Sequence, residues 1–504
     1  MLGSRPDLVK LADTRWDLIV IGGGITGAGI LHQAAQLGIK ALLVEKHDFS
    51  YGTSSRSSKM VHGGLRYLKQ GDIRLTRESL QEREHLLRHL PGLVVRQSYL
   101  FPLRRGQFPG RWAMTVALWF YDLLAGVRDH RWVSADDLAQ RVPALDTRAL
   151  TGAMRYTDAL TDDSRLVMRI LHDAVEEGGR AINYCGVNDV SRRSNGDLTL
   201  SVTDHAAKAD PVRGGTPVTA TLVARRVINA TGAWADQLSG TPARVRPQRG
   251  SHLFVPAQRL PLSECLTLVN PRDGRPVFVF PWEGETCIGT TDLDHRDDPD
   301  REPRATRKEI DYLLELVNGF FPDVQLTDAD ILSTMAGVRP IIASGKGGDP
   351  SSERRDHAVW SHDGVITVSG GKLTTFRVIA LDALAVAGFI DRHRHRALRR
   401  AGPRFAQNSA IPTGLGHPLR RWPEGDALLA EIDWVLQHEM VQHLDDLMLR
   451  RTRLGNMLPR GGEERLPVLA KLVCERLGWD QSRWEVEVQR YLDIIQDSYS
   501  VQEA

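Results

Sequence analysis

Hydrophobic and polar positions change period within the first tenth of the chain. Asp17-Leu18-Ile19-Val20-Ile21 is a short apolar run that stops at glycine, the pattern of a buried parallel strand. From Ile25 to Leu37 the apolar residues Ala28, Leu31, Ala34 and Ala35 recur at helical spacing, and Gly38 stands where a helix C-cap belongs. Ala41-Leu42-Leu43-Val44 then predicts a second strand, ending at Glu45. Residues 165–177 read as a helix entered through Asp162 or Asp163 as N-cap, a role that capping alone explains. Residues 222–228 read as a strand running into the turn Asn229-Ala230-Thr231-Gly232. The runs 253–255 and 277–280 predict strands of an antiparallel sheet. Ile366-Thr367-Val368-Ser369 returns to the parallel sheet, and Gly370-Gly371 turns the chain before Leu373-Thr374-Thr375 opens a helix. From about Ala401 to Ala504 the pattern is helical and highly charged, which predicts a separate domain.

Composition narrows the class. A chain of 504 residues suggests two to four domains. With 41% hydrophobic and 25% charged residues it can bury a sizeable core, which excludes disorder as its main theme. Lys+Arg is 65 against Asp+Glu 63, a net +2, which argues against a dedicated nucleic-acid binder. Cys185, Cys265, Cys287 and Cys474 form no CxxC pair, so reduced thiols in a cytosolic setting are expected, with neither a disulfide framework nor a metal site. The opening MLGSRPDLVKLADTRWD lacks the apolar core of a secretory signal, and no stretch approaches the ~18 apolar residues of a membrane span.

Chemistry enters at the first turn. Gly22, Gly24 and Gly27 satisfy GxGxxG between the first strand and helix. Gly22 allows the tight turn, Gly24 lets a pyrophosphate approach the backbone, and Gly27 lets helix and strand pack. The helix N-terminus offers free N–H groups to phosphates, and Glu45 can accept hydrogen bonds from ribose hydroxyls. A dinucleotide site follows. The hydroxyl-rich run Thr53-Ser54-Ser55-Arg56-Ser57-Ser58-Lys59 suits a long, buried FAD better than NAD.

Together with Lys59-Met60-Val61-His62-Gly63-Gly64-Leu65-Arg66-Tyr67-Leu68, this opening resembles the FAD-dependent, respiratory-type glycerol-3-phosphate dehydrogenases of the D-amino-acid-oxidase-like superfamily. Asp162-Asp163-Ser164-Arg165-Leu166, Gly250-Ser251-His252, Phe280-Pro281-Trp282, Gly289-Thr290-Thr291-Asp292, Gly337-Val338-Arg339-Pro340, Arg355-Asp356 and Gly370-Gly371-Lys372-Leu373-Thr374-Thr375 support the resemblance in the expected order. It covers about residues 15–380 and continues more weakly through Leu449-Arg450-Arg451-Thr452-Arg453-Leu454-Gly455. Between roughly Pro412 and Glu431 the chain is tens of residues shorter than is usual for the family. That departure touches subunit contacts and electron-acceptor docking, and leaves the FAD core unaffected.

The resemblance implies an α/β fold: a Rossmann-like FAD-binding domain (15–95, 150–245 and 335–400), an antiparallel-sheet substrate domain that faces the membrane (96–149 and 246–334) and a C-terminal helical cap domain (401–504). FAD contacts are expected at Gly22, Gly24, Gly27, Glu45, Thr53, Ser54, Ser55, Ser58, Val187, Gly232, Gly371, Leu373, Thr374 and Thr375. The implied reaction is oxidation of sn-glycerol 3-phosphate to dihydroxyacetone phosphate. A hydride leaves carbon for flavin N5 and a proton leaves oxygen, so the protein must supply placement and a base. Arg66, Arg355 and Lys372 are expected to meet phosphate and substrate charge, with Tyr67 as a hydrogen-bonding neighbour. Arg339 is expected nearer the reacting carbon, against a developing alkoxide. His62 and His252 are the candidate proton acceptors, because imidazole titrates near neutral pH.

Trp112–Gly126 carries only Asp122 as a charge, and six arginines against two acids lie between Arg96 and Arg131. Fifteen residues span about 22 Å as a helix, short of the ~30 Å hydrocarbon core. Aromatics with a basic rim suit a helix lying on an anionic leaflet, or a buried helix with a solvated basic end. The resemblance favours a peripheral enzyme on the cytoplasmic face of the inner membrane, with a quinone as electron acceptor and a homodimer among the expectations. Three other readings stay open: an amine or amino-acid oxidase of the same superfamily, a glycerol-3-phosphate oxidase using oxygen, and a flavin-binding redox sensor or scaffold.

Overall fold

The structure, a computed structural model, describes residues 2–65, 71–206, 217–239, 244–343, 356–406, 411–412 and 414–501. Among the described residues the strands form one sheet of eight and one of ten. The first has the spatial order His357–His362, Val365–Gly370, Val218–Asn229, Arg15–Ile21, Ala41–Val44, Arg180–Ile182. Its pairs are parallel except at the His357–His362 edge. Cys185–Arg192 and Leu198–Asp204 extend it as an antiparallel flap on Val218–Asn229. The continuous apolar runs have a simple cause. Leu18, Val20, Ala41 and Leu43 enter one core, while Ile19, Ile21, Leu42 and Val44 enter a second on the opposite face. Helices Ile25–Gln36, Asp163–Glu176 and Phe376–Val386 cover the first face. Each fully buried Leu, Ile or Val there contributes about 1.5–3 kcal/mol. Ile21 pairs with both Val44 and Asn229, and Asn229 with Thr367, so the carboxyl ends of four strands align and open one crevice.

The second sheet runs Leu293–Asp294, Val245–Val255, Glu285–Gly289, Pro276–Trp282, Cys265–Val269, Val94–Arg104, Leu150–Thr161, Met60–Val61. Ser333–Ile342 pairs with Val245–Val255, and Arg131–Ser134 with Leu150–Thr161. All pairs are antiparallel except that of Cys265–Val269 with Val94–Arg104. Alternation sorts its side chains: Leu266, Leu268, Val277 and Val279 pack under helix Arg307–Phe320, while Thr267 and Phe278 face the crevice. Leu150–Thr161 and Ser333–Ile342 pair within this sheet, while the resemblance assigns 150–161 and 335–342 to the FAD-binding unit. Period-two patterning identifies a strand and says nothing of which sheet it joins.

The C-terminal helices Gly425–His438, Leu466–Leu477 and Gln481–Ile494 enclose their own core around Ile432, Val435, Leu447, Leu469 and Tyr491. This unit is bonded into the parallel-sheet unit through buried ions. Arg165 meets Glu439 in a bidentate pair (Nη2–Oε1 2.7 Å), and Arg451 meets Asp48 through both nitrogens at 2.7 Å. No helix among the described residues is long and apolar enough to cross a membrane. The four cysteines are unpaired.

Candidate active site

A cavity of about 1360 Å³ runs along the crevice between the two sheets. At one end lies the first turn. Gly22 has φ +110°, and a Cβ there would stand 2.7 Å from the Ala230 carbonyl oxygen. A Cβ on Gly27 would stand 1.8 Å from Gly22 O, so this glycine acts through packing and does not itself line the cavity. Gly24 caps helix Ile25–Gln36, and the Ile25 N–H donates to Ser54 Oγ (2.9 Å). Glu45 lines the cavity and accepts from Gly23 N–H (2.6 Å) and His47 N–H (2.8 Å). Burial raises its pKa above the usual carboxylate value. The His47 ring stacks on Tyr51 (4.2 Å), and its buried Nε2 has no hydrogen-bond partner among the described residues. Burial pushes this imidazole down to about 4. Val187 and Gly232 line the cavity as well, with Gly232 O accepting from Ser369 Oγ (3.2 Å).

The hydroxyl-rich segment follows the cavity wall. Thr53, Ser54 and Ser58 line it, while Ser55 is buried behind it with its Oγ toward Gly52 O (3.4 Å). Thr53 Oγ1 donates to Val338 O, tying the loop to the neighbouring strand. At the far end Gly370 and Gly371 (φ +80° and +78°) turn the chain, and Gly371, Leu373 and Thr374 line the cavity. Thr374 Oγ1 donates to His62 O (3.2 Å). Thr375 sits behind them, its N–H bonded to Lys372 O (3.2 Å).

The polar groups for a substrate gather at this far end. Arg339 lines the cavity and is aimed by Thr290 Oγ1 (2.9 Å), Thr291 O (3.4 Å) and Asp292 Oδ1 (3.2 Å). Lys372 lines it too and donates to Ser79 Oγ. His62 lines it half-buried. Arg66, Tyr67 and Arg355 lie outside the described residues. His252 is fully buried and does not line the cavity; it bonds Ser58 Oγ through Nε2 (3.0 Å). Burial, then the nearby Arg339 charge, pushes this imidazole down to about 3.

Two residues escaped the sequence reading. Asp158, on Leu150–Thr161, lines the cavity and accepts from Gly63 N–H (2.9 Å), Arg83 Nη1 (2.7 Å) and Tyr121 OH (3.1 Å). It fixes the His62-Gly63-Gly64 turn, and burial raises its pKa. Arg275, on the hairpin after Val269, lines the cavity and donates to Asp292 O (3.0 Å). Neither stands in a motif that spacing alone would single out.

The residues present fit FAD. The glycine cradle a Cβ would fill, the helix N-terminus, the acceptor Glu45 and the unpartnered His47 Nε2 lie along one cavity with the Gly371–Thr374 turn. An elongated dinucleotide with hydroxyl donors and a pyrophosphate matches that donor set.

Comparison with known proteins agrees. Residues 17–377 match the FAD-dependent oxidoreductase family, and residues 406–484 match the C-terminal domain of alpha-glycerophosphate oxidase. The aerobic glycerol-3-phosphate dehydrogenase of Staphylococcus epidermidis is 36% identical over 386 residues, covering 74% of this chain and 67% of that one. The same enzyme of Staphylococcus aureus is 37% identical over 383 residues, again 74% and 67%. The solved glycerol-3-phosphate dehydrogenase from Bacillus halodurans, complexed with FAD, superposes with a TM-score of 0.72 at 25% identity over 97% of this chain and 96% of that one. L-alpha-glycerophosphate oxidase from Mycoplasma pneumoniae shares the fold (TM-score 0.58, 17% identity, 74% of this chain and 95% of that one). The chain belongs to the family of FAD-dependent oxidoreductases that includes the aerobic glycerol-3-phosphate dehydrogenases.

Proposed function

We propose that the chain oxidises sn-glycerol 3-phosphate to dihydroxyacetone phosphate, by hydride transfer to flavin N5, and passes the electrons to a quinone. The observation that carries this reading is that Arg339 and Lys372 line the same cavity as the dinucleotide glycines and Glu45. Two cations of different geometry suit an anionic phosphorylated alcohol. Arg339, held by Asp292 and Thr290, stands ready for a developing alkoxide, and Lys372 supplies a point charge to phosphate. Arg66, Tyr67 and Arg355 complete the phosphate cradle in this proposal. FAD, when bound, supplies the two-electron acceptor. His62 takes the hydroxyl proton in this proposal, since it is the one of the two candidate histidines that lines the cavity. His252 sits behind Ser58, and its burial keeps it neutral.

The acceptor proposal rests on helix Arg111–Ala125. Trp112 is 80% exposed, and Val116, Trp119 and Leu123 follow it on the same face. The opposite face buries Met114, Leu118 and Tyr121. Ala113, Met114, Ala117 and Phe120 of this helix also line the cavity. An apolar acceptor dissolved in a bilayer would thus meet the cavity wall where the helix lies on an anionic leaflet at the cytoplasmic face.

The test is turnover with sn-glycerol 3-phosphate and a short-chain quinone, with and without oxygen. Quinone-dependent turnover that persists without oxygen is expected. Turnover that needs oxygen and yields peroxide would replace the acceptor assignment. Oxidation of amino acids but not of the phosphorylated alcohol would replace the substrate assignment.

A further inference from the structure

The C-terminal helical unit sends one guanidinium to the back of the flavin-binding segment. Arg453, 2% exposed, donates from Nη1 to the Ser55 carbonyl (3.0 Å) and to Leu449 O (2.8 Å). Its Nε and Nη2 donate to Asp162 (3.2 and 2.9 Å), and Nη2 also to Asp163. Each of the five N–H donors of an arginine is therefore used. By contrast, Arg450 Nη1 and Arg451 Nε nearby have no hydrogen-bond partner among the described residues.

Lys59 reaches the same two acceptors from the other side. Its Nζ donates to Ser55 O (2.7 Å) and to Asp163 Oδ1 (2.8 Å). Asp163 Oδ2 in turn accepts the Ser57 N–H (2.8 Å). The Trp282 ring floors both cations, at 5.0 Å from Lys59 and 5.9 Å from Arg453. Two buried cations and two buried carboxylates thus balance in charge. Between them they fix one carbonyl and one amide of the segment that gives Thr53, Ser54, Arg56, Ser57 and Ser58 to the cavity wall. A buried ion cluster is a weak source of net stability, but it specifies one backbone arrangement when every donor is met.

We propose that Arg453 is a positioning residue for FAD. It holds the Ser55 carbonyl and the Asp163–Ser57 contact, so the helical unit sets how tightly the flavin segment closes on the cofactor. This goes beyond the substrate assignment and stands independently of it, because the readout is flavin retention rather than turnover.

Two variants test it. Arg453→Lys keeps the charge and loses the fork; Arg453→Met combined with Asp162→Asn keeps the cluster neutral and removes the Ser55 contact. Each is purified as holoenzyme, and flavin release is followed as the rise in free-flavin fluorescence on dilution. Flavin-free forms are melted by circular dichroism as the control for a merely structural role. Release about tenfold faster or more is expected, with flavin-free melting within a few degrees of wild type. Wild-type release from either folded variant would overturn the proposal. A second measurement needs no variant. If the segment and FAD are coupled, adding FAD to the flavin-free wild-type protein slows hydrogen exchange at amides 449–454, although none of these residues lines the cavity. Equal exchange with and without FAD would overturn it as well.

Discussion

A Cβ placed on Gly250 would stand 2.2 Å from Nη2 of Arg339. The bare backbone at Gly250 is what lets this guanidinium lie against Val245–Val255 and reach Thr290 and Asp292. Gly250→Ala therefore displaces Arg339 without touching the nucleotide end. Flavin content should be unchanged while kcat/KM for the phosphorylated alcohol falls about ten- to a hundred-fold. Steady-state kinetics on protein of matched flavin content checks this, and an unaltered kcat/KM would remove Arg339 from the reaction.

Glu45 faces a trade between binding and stability. Burial, its largest influence, raises its pKa, so the flavin-free protein loses stability as pH rises from the usual carboxylate value through the raised one. Glu45→Gln removes the buried charge and one strong acceptor. The flavin-free variant should hold its melting temperature as pH rises from the usual carboxylate value, where the wild type declines. Its FAD affinity should drop about tenfold or more, read by fluorescence titration.

His32 is 1% exposed, stacks on Phe405 and contacts the Gln36 amide (3.1 Å). Burial first, then Arg169 and Arg404, lowers its pKa to about 4. The unfolded chain takes up this proton below about pH 6.5 and the folded chain does not until about pH 4. Its contribution is present above pH 6.5 and lost on acidification, by about 1.4 kcal/mol per pH unit. His32→Gln should flatten that acid limb in urea unfolding at pH 6.5 and pH 5. Parallel limbs for both proteins would contradict it.

The exposed face of Arg111–Ala125 should carry membrane binding. Trp112→Ser with Trp119→Ser should abolish sedimentation with anionic vesicles and leave oxidation with a soluble artificial acceptor intact, because neither side chain lines the cavity. Binding by the wild type should weaken with added salt, since basic residues flank the helix. Vesicle binding unchanged by the double substitution would return this face to a purely solvated role.

The sequence carried the nucleotide end because its signals are local. A strand, three glycines, a helix and an acid follow one another, and the backbone can satisfy them in few ways. The Gly370-Gly371 turn was legible for the same reason. What stayed hidden is set by tertiary contacts. Asp162 and Asp163 read as ordinary caps, and Asp162 does accept from Ser164 and Arg165 N–H, yet both also meet Arg453 from the other end of the chain. Ser55 and Thr375 share motifs with cavity residues but point behind them, because a turn distributes neighbours to both sides of a wall. His252 lay in a matching motif, and only the fold reveals that Ser58 stands between it and the cavity.

The central claim is that the cavity holds a flavin reduced by a phosphorylated secondary alcohol. The direct measurement is to mix the purified holoenzyme with sn-glycerol 3-phosphate in the absence of oxygen and follow the visible flavin absorbance. Prompt bleaching by sn-glycerol 3-phosphate, with plain glycerol and amino acids inert, is the predicted result. A flavin that stays oxidised with the phosphorylated alcohol, or that is bleached by an amino acid instead, would contradict it.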